Sequence, residues 1–150
     1  FKMMGNYEIF SGKTAWITGA SSGIGEALVY DFVRRGATVI ISSNDITGLE
    51  RVKSACKERS SNVICAPFDL SDTSDINSLV EQQLRTAGKI DYLLNIGGIS
   101  QRASVADKPV WLDRKIFEIN YFGTIALTKA VLPYMIRQKS GHIAATSSIS

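Results

Sequence analysis

From Thr14 onward the chain alternates between short, unbroken apolar runs and longer stretches in which apolar residues return every three or four positions. The runs Thr14–Thr18 (TAWIT), Thr38–Ser42 (TVIIS), Val63–Ala66 (VICA), Tyr92–Asn95 (YLLN) and His142–Thr146 (HIAAT) predict strands. They are apolar throughout rather than at every second residue, as strands covered on both faces must be. Helices are predicted at Gly23–Arg35, Gly48–Glu58 and Asp75–Ala87, with a long one from Val110 to Arg137. Gly36, after Arg34 and Arg35, stops the first helix, and Ser71 or Asp72 is placed to cap the third. Strands alternating with helices imply an α/β fold: a doubly wound parallel sheet of five strands joined by right-handed crossovers. No internal repeat or low-complexity tract interrupts the pattern.

Composition narrows the class without naming a function. The 150 residues, 45% of them hydrophobic, suit a single domain with its own core. Charged residues make up 21% and the net charge is +3, with both signs interspersed, which argues against a dedicated nucleic-acid binder. Cys56 and Cys65 stand nine apart, without the paired spacing or neighbouring histidines of a zinc site, so free thiols and no metal are expected. The first residues hold no signal-peptide core, and no run approaches the ~18 apolar residues of a membrane span. A cytoplasmic protein with no membrane contact is the expectation. The one histidine, His142, lies at a strand start and reads as a surface residue rather than a base.

The sharpest local signal is Thr18–Gly25, T-G-A-S-S-G-I-G, directly after the first strand and opening the first helix. Glycines there let the backbone turn tightly and approach a pyrophosphate, while the free N–H groups and dipole of the helix start favour negative charge. Gly19, Gly23 and Gly25 could supply those turns; the bland alternative is a glycine-rich βα turn with no ligand. Their G-x-x-x-G-x-G spacing departs from the G-x-G-x-x-G fingerprint. Gly12-Lys13-Thr14 imitates the tail of a Walker A loop, but Tyr7 stands where its leading glycine belongs and the segment precedes its strand.

TGASSGIG, followed by Asp69, by Asn95–Gly98 (NIGG), by Asn120 and by Ser147-Ser148, resembles the compact short-chain dehydrogenase/reductase family across nearly the whole chain. GLERVKSAC, GGISQR and NYFGTIALTKAVLP resemble more closely the orphan membrane-associated branch related to the hydroxysteroid dehydrogenases, although that branch's N-terminal anchor is not matched. The resemblance implies that residues 1–150 form one Rossmann-like dinucleotide-binding domain, the N-terminal portion of that fold, with its C-terminal part absent. It places Gly19, Ser21, Ser22, Gly23, Ile24 and Gly25 around the pyrophosphate and ribose, and Asp69 with Leu70 at the adenine. Asn95, Gly97 and Gly98 would form the loop after the fourth strand, where Ile96 and Gly97 replace the middle of the family's N-N-A-G. A turn or helix-capping role is the alternative for Asp69.

Cofactor choice turns on the end of the second strand, where an acid suits the ribose 2′-hydroxyl of NAD and a base the 2′-phosphate of NADP. Ser43 and Asn44 occupy those positions. They oppose no phosphate but bring no arginine either, so the reading leans slightly to NADP over NAD. Asn120 and Ser148 match the family's catalytic asparagine and serine, with Ser147 the alternative, since strand alternation lets only one face the site. Asparagine is a poor helix residue, so Asn120 reads as functional, or else as a solvent-facing residue or local kink. Arg102 is a candidate for touching cofactor or substrate, or a solvated loop residue.

The family's Y-x-x-x-K pair has no counterpart in residues 1–150. The expectation is therefore the truncated cofactor half of an NAD(P)-dependent oxidoreductase acting on an alcohol or carbonyl, inactive alone. The alternative is a non-catalytic dinucleotide sensor. Relatives pack the long helix against a partner, so a homodimer or homotetramer is expected.

Overall fold

The computed structural model describes residues 8–102, 104 and 106–148. Five strands form one parallel sheet: β1 Thr14–Thr18, β2 Thr38–Ser42, β3 Val63–Cys65, β4 Tyr92–Asn95 and β5 His142–Ala145. Their order is β3-β2-β1-β4-β5, every neighbouring pair parallel, with Thr14 opposite Thr38 and Ala15 opposite Tyr92. The unbroken apolar runs find their cause here. Ala15, Ile17, Val39 and Ile41 face one layer, where α1 (Gly23–Arg34) and α2 (Ile46–Ala55) bring Val29, Phe32, Val33, Leu49 and Val52. Trp16, Ile40 and Leu93 face the other, against Ile76 and Val80 of α3 (Ile76–Ala87) and Leu127 and Val131 of α5 (Thr124–Gln138). Both faces of β1 are covered, so all five of its residues are buried.

Polar groups inside this sheet are paired. The Trp16 indole N–H donates to Ser42 Oγ at 2.9 Å, and Ser42 donates on to the Ala66 carbonyl at 2.6 Å. At the amino ends of the strands Asp91 accepts from the Thr14 N–H at 2.8 Å and pairs with Lys89 at 3.2 Å; Lys13, read in sequence as a strand-edge charge, stands 4.0 Å away.

Three local expectations change. The third helix begins at Ile76 after Asp75, and Ser71 and Asp72 do not cap it; Asp69 and Asp72 instead close turns onto Ser71 and Ser74. Each carboxylate accepts both the N–H and the hydroxyl two residues on, the local bonding that makes aspartate a turn former. The long helix from Val110 is interrupted: α4 (Val110–Phe117) passes into a π-helical turn, Glu118–Gly123, before α5 begins. β5 ends at Ala145, so Ser147 and Ser148 lie beyond the strand and the alternation that would separate them does not apply.

Candidate functional site

β1 and β4 are neighbours although β2 and β3 follow β1 in the chain, so the sheet order reverses between them. In such sheets a crevice opens at the carboxyl ends of the strands at that reversal. The loops after β1 and β4 meet there so closely that only glycine fits. Gly19 has φ +64°, and a Cβ on it would lie 2.6 Å from the Gly97 Cα. Thr18 Oγ1 ties the loops together, accepting from the Ile96 N–H at 3.1 Å and the Gly97 N–H at 3.0 Å. A Cβ on Gly25 would strike the Gly19 carbonyl oxygen at 2.1 Å, which is how α1 seats against the turn. Ser22 precedes α1 without a side-chain cap, leaving the first-turn N–H groups open to an acceptor from outside.

The crevice is a cleft of about 390 Å³. Its floor is the turn itself, Gly19, Ser21, Ser22, Gly23, Ile24 and Gly25. Ser43 and Asn44 form one wall, Asp69 and Leu70 another, and Gly97 and Gly98 close it. Ser21 and Ser43 share a hydrogen bond between their hydroxyls at 2.9 Å, fixing the floor to the end of β2. Asp69 Oδ1 is engaged by Ser71 at 2.8 and 2.7 Å, bonds that hold the carboxyl below the usual carboxylate range. The turn role and a place on the cleft wall thus coexist in Asp69.

Asn95 stands apart from that group. It lines an adjoining cavity of about 1060 Å³, which Asn120, Ser147, Ser148 and Arg102 also border. Its Nδ2 donates to Thr128 Oγ1 at 3.1 Å, while its buried Oδ1 has no partner among the described residues. Asn120 lies in the π-helical turn and clasps Ile99 in both directions: Oδ1 accepts from the Ile99 N–H and Nδ2 donates to the Ile99 carbonyl, each at 2.8 Å. Its misfit to a helix is resolved by that clasp. His142 is exposed and stacks on Tyr92 with ring centroids 5.2 Å apart.

Sequence reasoning missed two residues behind the floor. Gly48, in the first turn of α2, lets that helix approach Ser21 so closely that a Cβ would stand 2.8 Å from the Ser21 Cβ. One turn on, Arg51 donates to the Ser21 carbonyl at 2.9 Å and to both oxygens of Glu26 at 2.7 and 2.8 Å. Nothing in the letters signals this, because the three partners lie on two helices and a loop.

An all-parallel doubly wound sheet with a glycine turn at its reversal defines the Rossmann-like class of α/β proteins. Residues 13–150 match the family described as short chain dehydrogenase. The chain belongs to that family. It is 42% identical over 138 residues to human dehydrogenase/reductase SDR family member 7, covering 89% of this chain and 41% of that protein. With the Drosophila melanogaster SDR family protein 7-like, 42% identity over 142 residues covers 92% and 44% respectively. The chain therefore spans about two-fifths of the length of these curated relatives. Among solved structures, a short-chain dehydrogenase from Streptomyces avermitilis superposes with a TM-score of 0.82 at 31% identity, covering 91% of this chain and 49% of the other. Levodione reductase gives 0.86 at 27%, covering 93% and 55%. Among the described residues no helix is long and apolar enough to cross a membrane.

Proposed function

We propose that the cleft holds a nicotinamide dinucleotide, NADPH in preference to NADH, and that the chain forms the cofactor half of an oxidoreductase acting on a small alcohol or carbonyl compound. The observation that carries this is the close approach of Gly19 to Gly97 beside an uncapped helix start, an arrangement that leaves backbone N–H groups facing a cradle no side chain fills. In this reading the pyrophosphate lies on Gly23, Ile24 and Gly25, and the adenosine ribose near Ser21, Ser22, Ser43 and Asn44. The adenine lies by Asp69 and Leu70, while Gly97 and Gly98 face the nicotinamide half. Asn95 steadies the loop before them through Thr128.

The dinucleotide, when bound, supplies or receives hydride. Asn120 and Ser148, which border one cavity, are the residues of this chain assigned to the reacting end. Ser148 holds the substrate oxygen, and Asn120 positions the loop through Ile99 and serves proton movement. The tyrosine and lysine of the family's Y-x-x-x-K are not among these 150 residues, so turnover is assigned to a protein that contains them.

Self-association as a homodimer or homotetramer belongs to the same proposal, supported by Trp111, Phe117, Tyr121 and Phe122, which are 62, 63, 55 and 53% exposed along α4 and the π-helical turn. Residence in the cytoplasm is proposed as well, where the free thiols of Cys56 and Cys65 would stay reduced.

Titration of the chain with NADPH and NADH, followed by nucleotide fluorescence and competition with 5′-AMP, tests the central reading. Saturable binding competed by 5′-AMP is expected. No binding of either dinucleotide at millimolar concentration refutes it.

A further inference from the structure

The end of β2 brings no cation to the ribose 2′-position, and among the described residues lining the cleft none is lysine or arginine. A positive charge nevertheless stands directly behind its floor. Arg51 bonds the carbonyl of Ser21, whose hydroxyl meets that of Ser43 at the β2 wall. Two observations fix the guanidinium there. Gly48 and Arg51 are three apart on one face of α2, and the missing side chain at Gly48 leaves room there both for Ser21, whose Cβ would stand 2.8 Å from a Cβ at Gly48, and for the Asp45 carboxylate that caps the helix. Glu26, in the first turn of α1, then holds the fork from the other side with both carboxylate oxygens, and itself accepts from Tyr30 at 2.6 Å. These contacts use three of the five N–H donors that a guanidinium carries.

We infer that Arg51 is a specificity-determining residue of the nucleotide cleft: seated behind Ser21 and Ser43, it supplies from α2 the positive charge that recognises a ribose 2′-phosphate, and Glu26 sets how much of that charge is available. The inference rests on the proposed dinucleotide reading of the cleft. It gives the serine-asparagine end of β2 a cation that its own letters lack. Glu26 has two opposed effects. Its bonds place the guanidinium, and its negative charge offsets the attraction that the guanidinium exerts on a phosphate; glutamine at this position keeps an acceptor for the guanidinium and removes only the charge.

The test measures dissociation constants for NADPH and NADH, and for 2′,5′-ADP and 5′-AMP, on the chain and on Arg51→Gln, Arg51→Lys and Glu26→Gln. For Arg51→Gln a loss on the order of tenfold is expected for the 2′-phosphorylated ligands, as for removal of one charge-assisted phosphate contact, with change within about twofold for the others. Arg51→Lys should retain part of the preference, because it keeps the charge and loses the fork. Glu26→Gln should shift the preference further toward the phosphorylated ligands.

Equal weakening of both ligand classes by Arg51→Gln would show that the residue only supports the fold, and overturns the inference. So does an unchanged preference in Glu26→Gln, which decides the matter even if Arg51→Gln does not fold. If the unaltered chain binds neither dinucleotide, the reading of the cleft itself fails. Binding of both with no shift in any variant removes only the role of Arg51.

Discussion

Three glycines of the turn differ in what an added methyl would meet, so alanine at each separates backbone conformation from packing. At Gly23, φ is +55° and nothing lies within 4 Å of the Cβ position. Only the left-handed backbone resists alanine there, at roughly 1–2 kcal/mol. At Gly25 no positive φ is involved, but the methyl would lie 2.1 Å from the Gly19 oxygen, 2.7 Å from its carbonyl carbon and 3.0 Å from the Ala20 Cα. All three are backbone atoms, which cannot swing aside as a side chain can, so the cost falls at the upper end of overpacking, about 3 kcal/mol or more. Gly19 combines both, with φ +64° and the Gly97 Cα at 2.6 Å, and should cost about 4 kcal/mol or more.

At ~2–4 °C of melting temperature per kcal/mol for a chain of this size, Gly23→Ala should fall by about 2–8 °C and Gly25→Ala by about 6–12 °C. Gly19→Ala should fall furthest. Urea denaturation gives the stabilities and NADPH titration the binding, and the two are expected to part company at Gly23. Its open side faces the cleft, so alanine there takes space from the ligand and should weaken binding on the order of tenfold while leaving the fold nearly intact. Gly25→Ala should damage both together. If Gly23→Ala destabilised the chain as much as Gly25→Ala, or bound NADPH as the unaltered chain does, the separation of packing from conformation would be refuted.

Ser42→Ala leaves the buried Trp16 N–H without its acceptor and should cost about 1–3 kcal/mol, read as a lower urea midpoint at unchanged slope. Asn120→Ala removes both bonds to Ile99 in an exposed setting; a loss of about 1 kcal/mol or less and faster hydrogen exchange at the Ile99 amide are expected, and unchanged exchange would place the clasp elsewhere. Arg51 and Tyr30 hold the Glu26 carboxyl down to about 2 from 4.5. A depressed carboxylate stabilises the fold above its unfolded pKa and loses that contribution as pH falls toward the folded one. Melting temperatures of the unaltered chain and Glu26→Gln should therefore differ above pH 4.5 and converge as pH falls toward 2; a constant gap across that window would show that the pair does not titrate as described.

What could be read from the letters was whatever depended on neighbours in sequence. β1 and β2 announced themselves because helices cover both their faces, so apolar residues stand at every position rather than every second one. The glycine turn was legible because the strand, the tight backbone and the helix start are consecutive residues. Of the nucleotide-site candidates, Asn95 alone fell outside the cleft, since the last residue of β4 turns its amide toward Thr128 of α5. The choice between Ser147 and Ser148 assumed strand geometry as far as Ser148, three residues past the end of β5, and both border the same cavity.

Arg51 was invisible for a different reason. Its position three residues after Gly48 is periodic and unremarkable for an exposed helix, and its carboxylate partner lies 25 residues upstream. What gives it meaning is the depth to which α2 sinks against Ser21, where a methyl at Gly48 would meet the Ser21 Cβ at 2.8 Å and the capping carboxylate of Asp45 closer still. Gly48 stands in the first turn, its N–H held by the Asp45 carboxylate at 2.9 Å, so the missing methyl leaves room for that cap and for Ser21 together. The long side chain three residues on, Arg51, is the one that this approach brings into use.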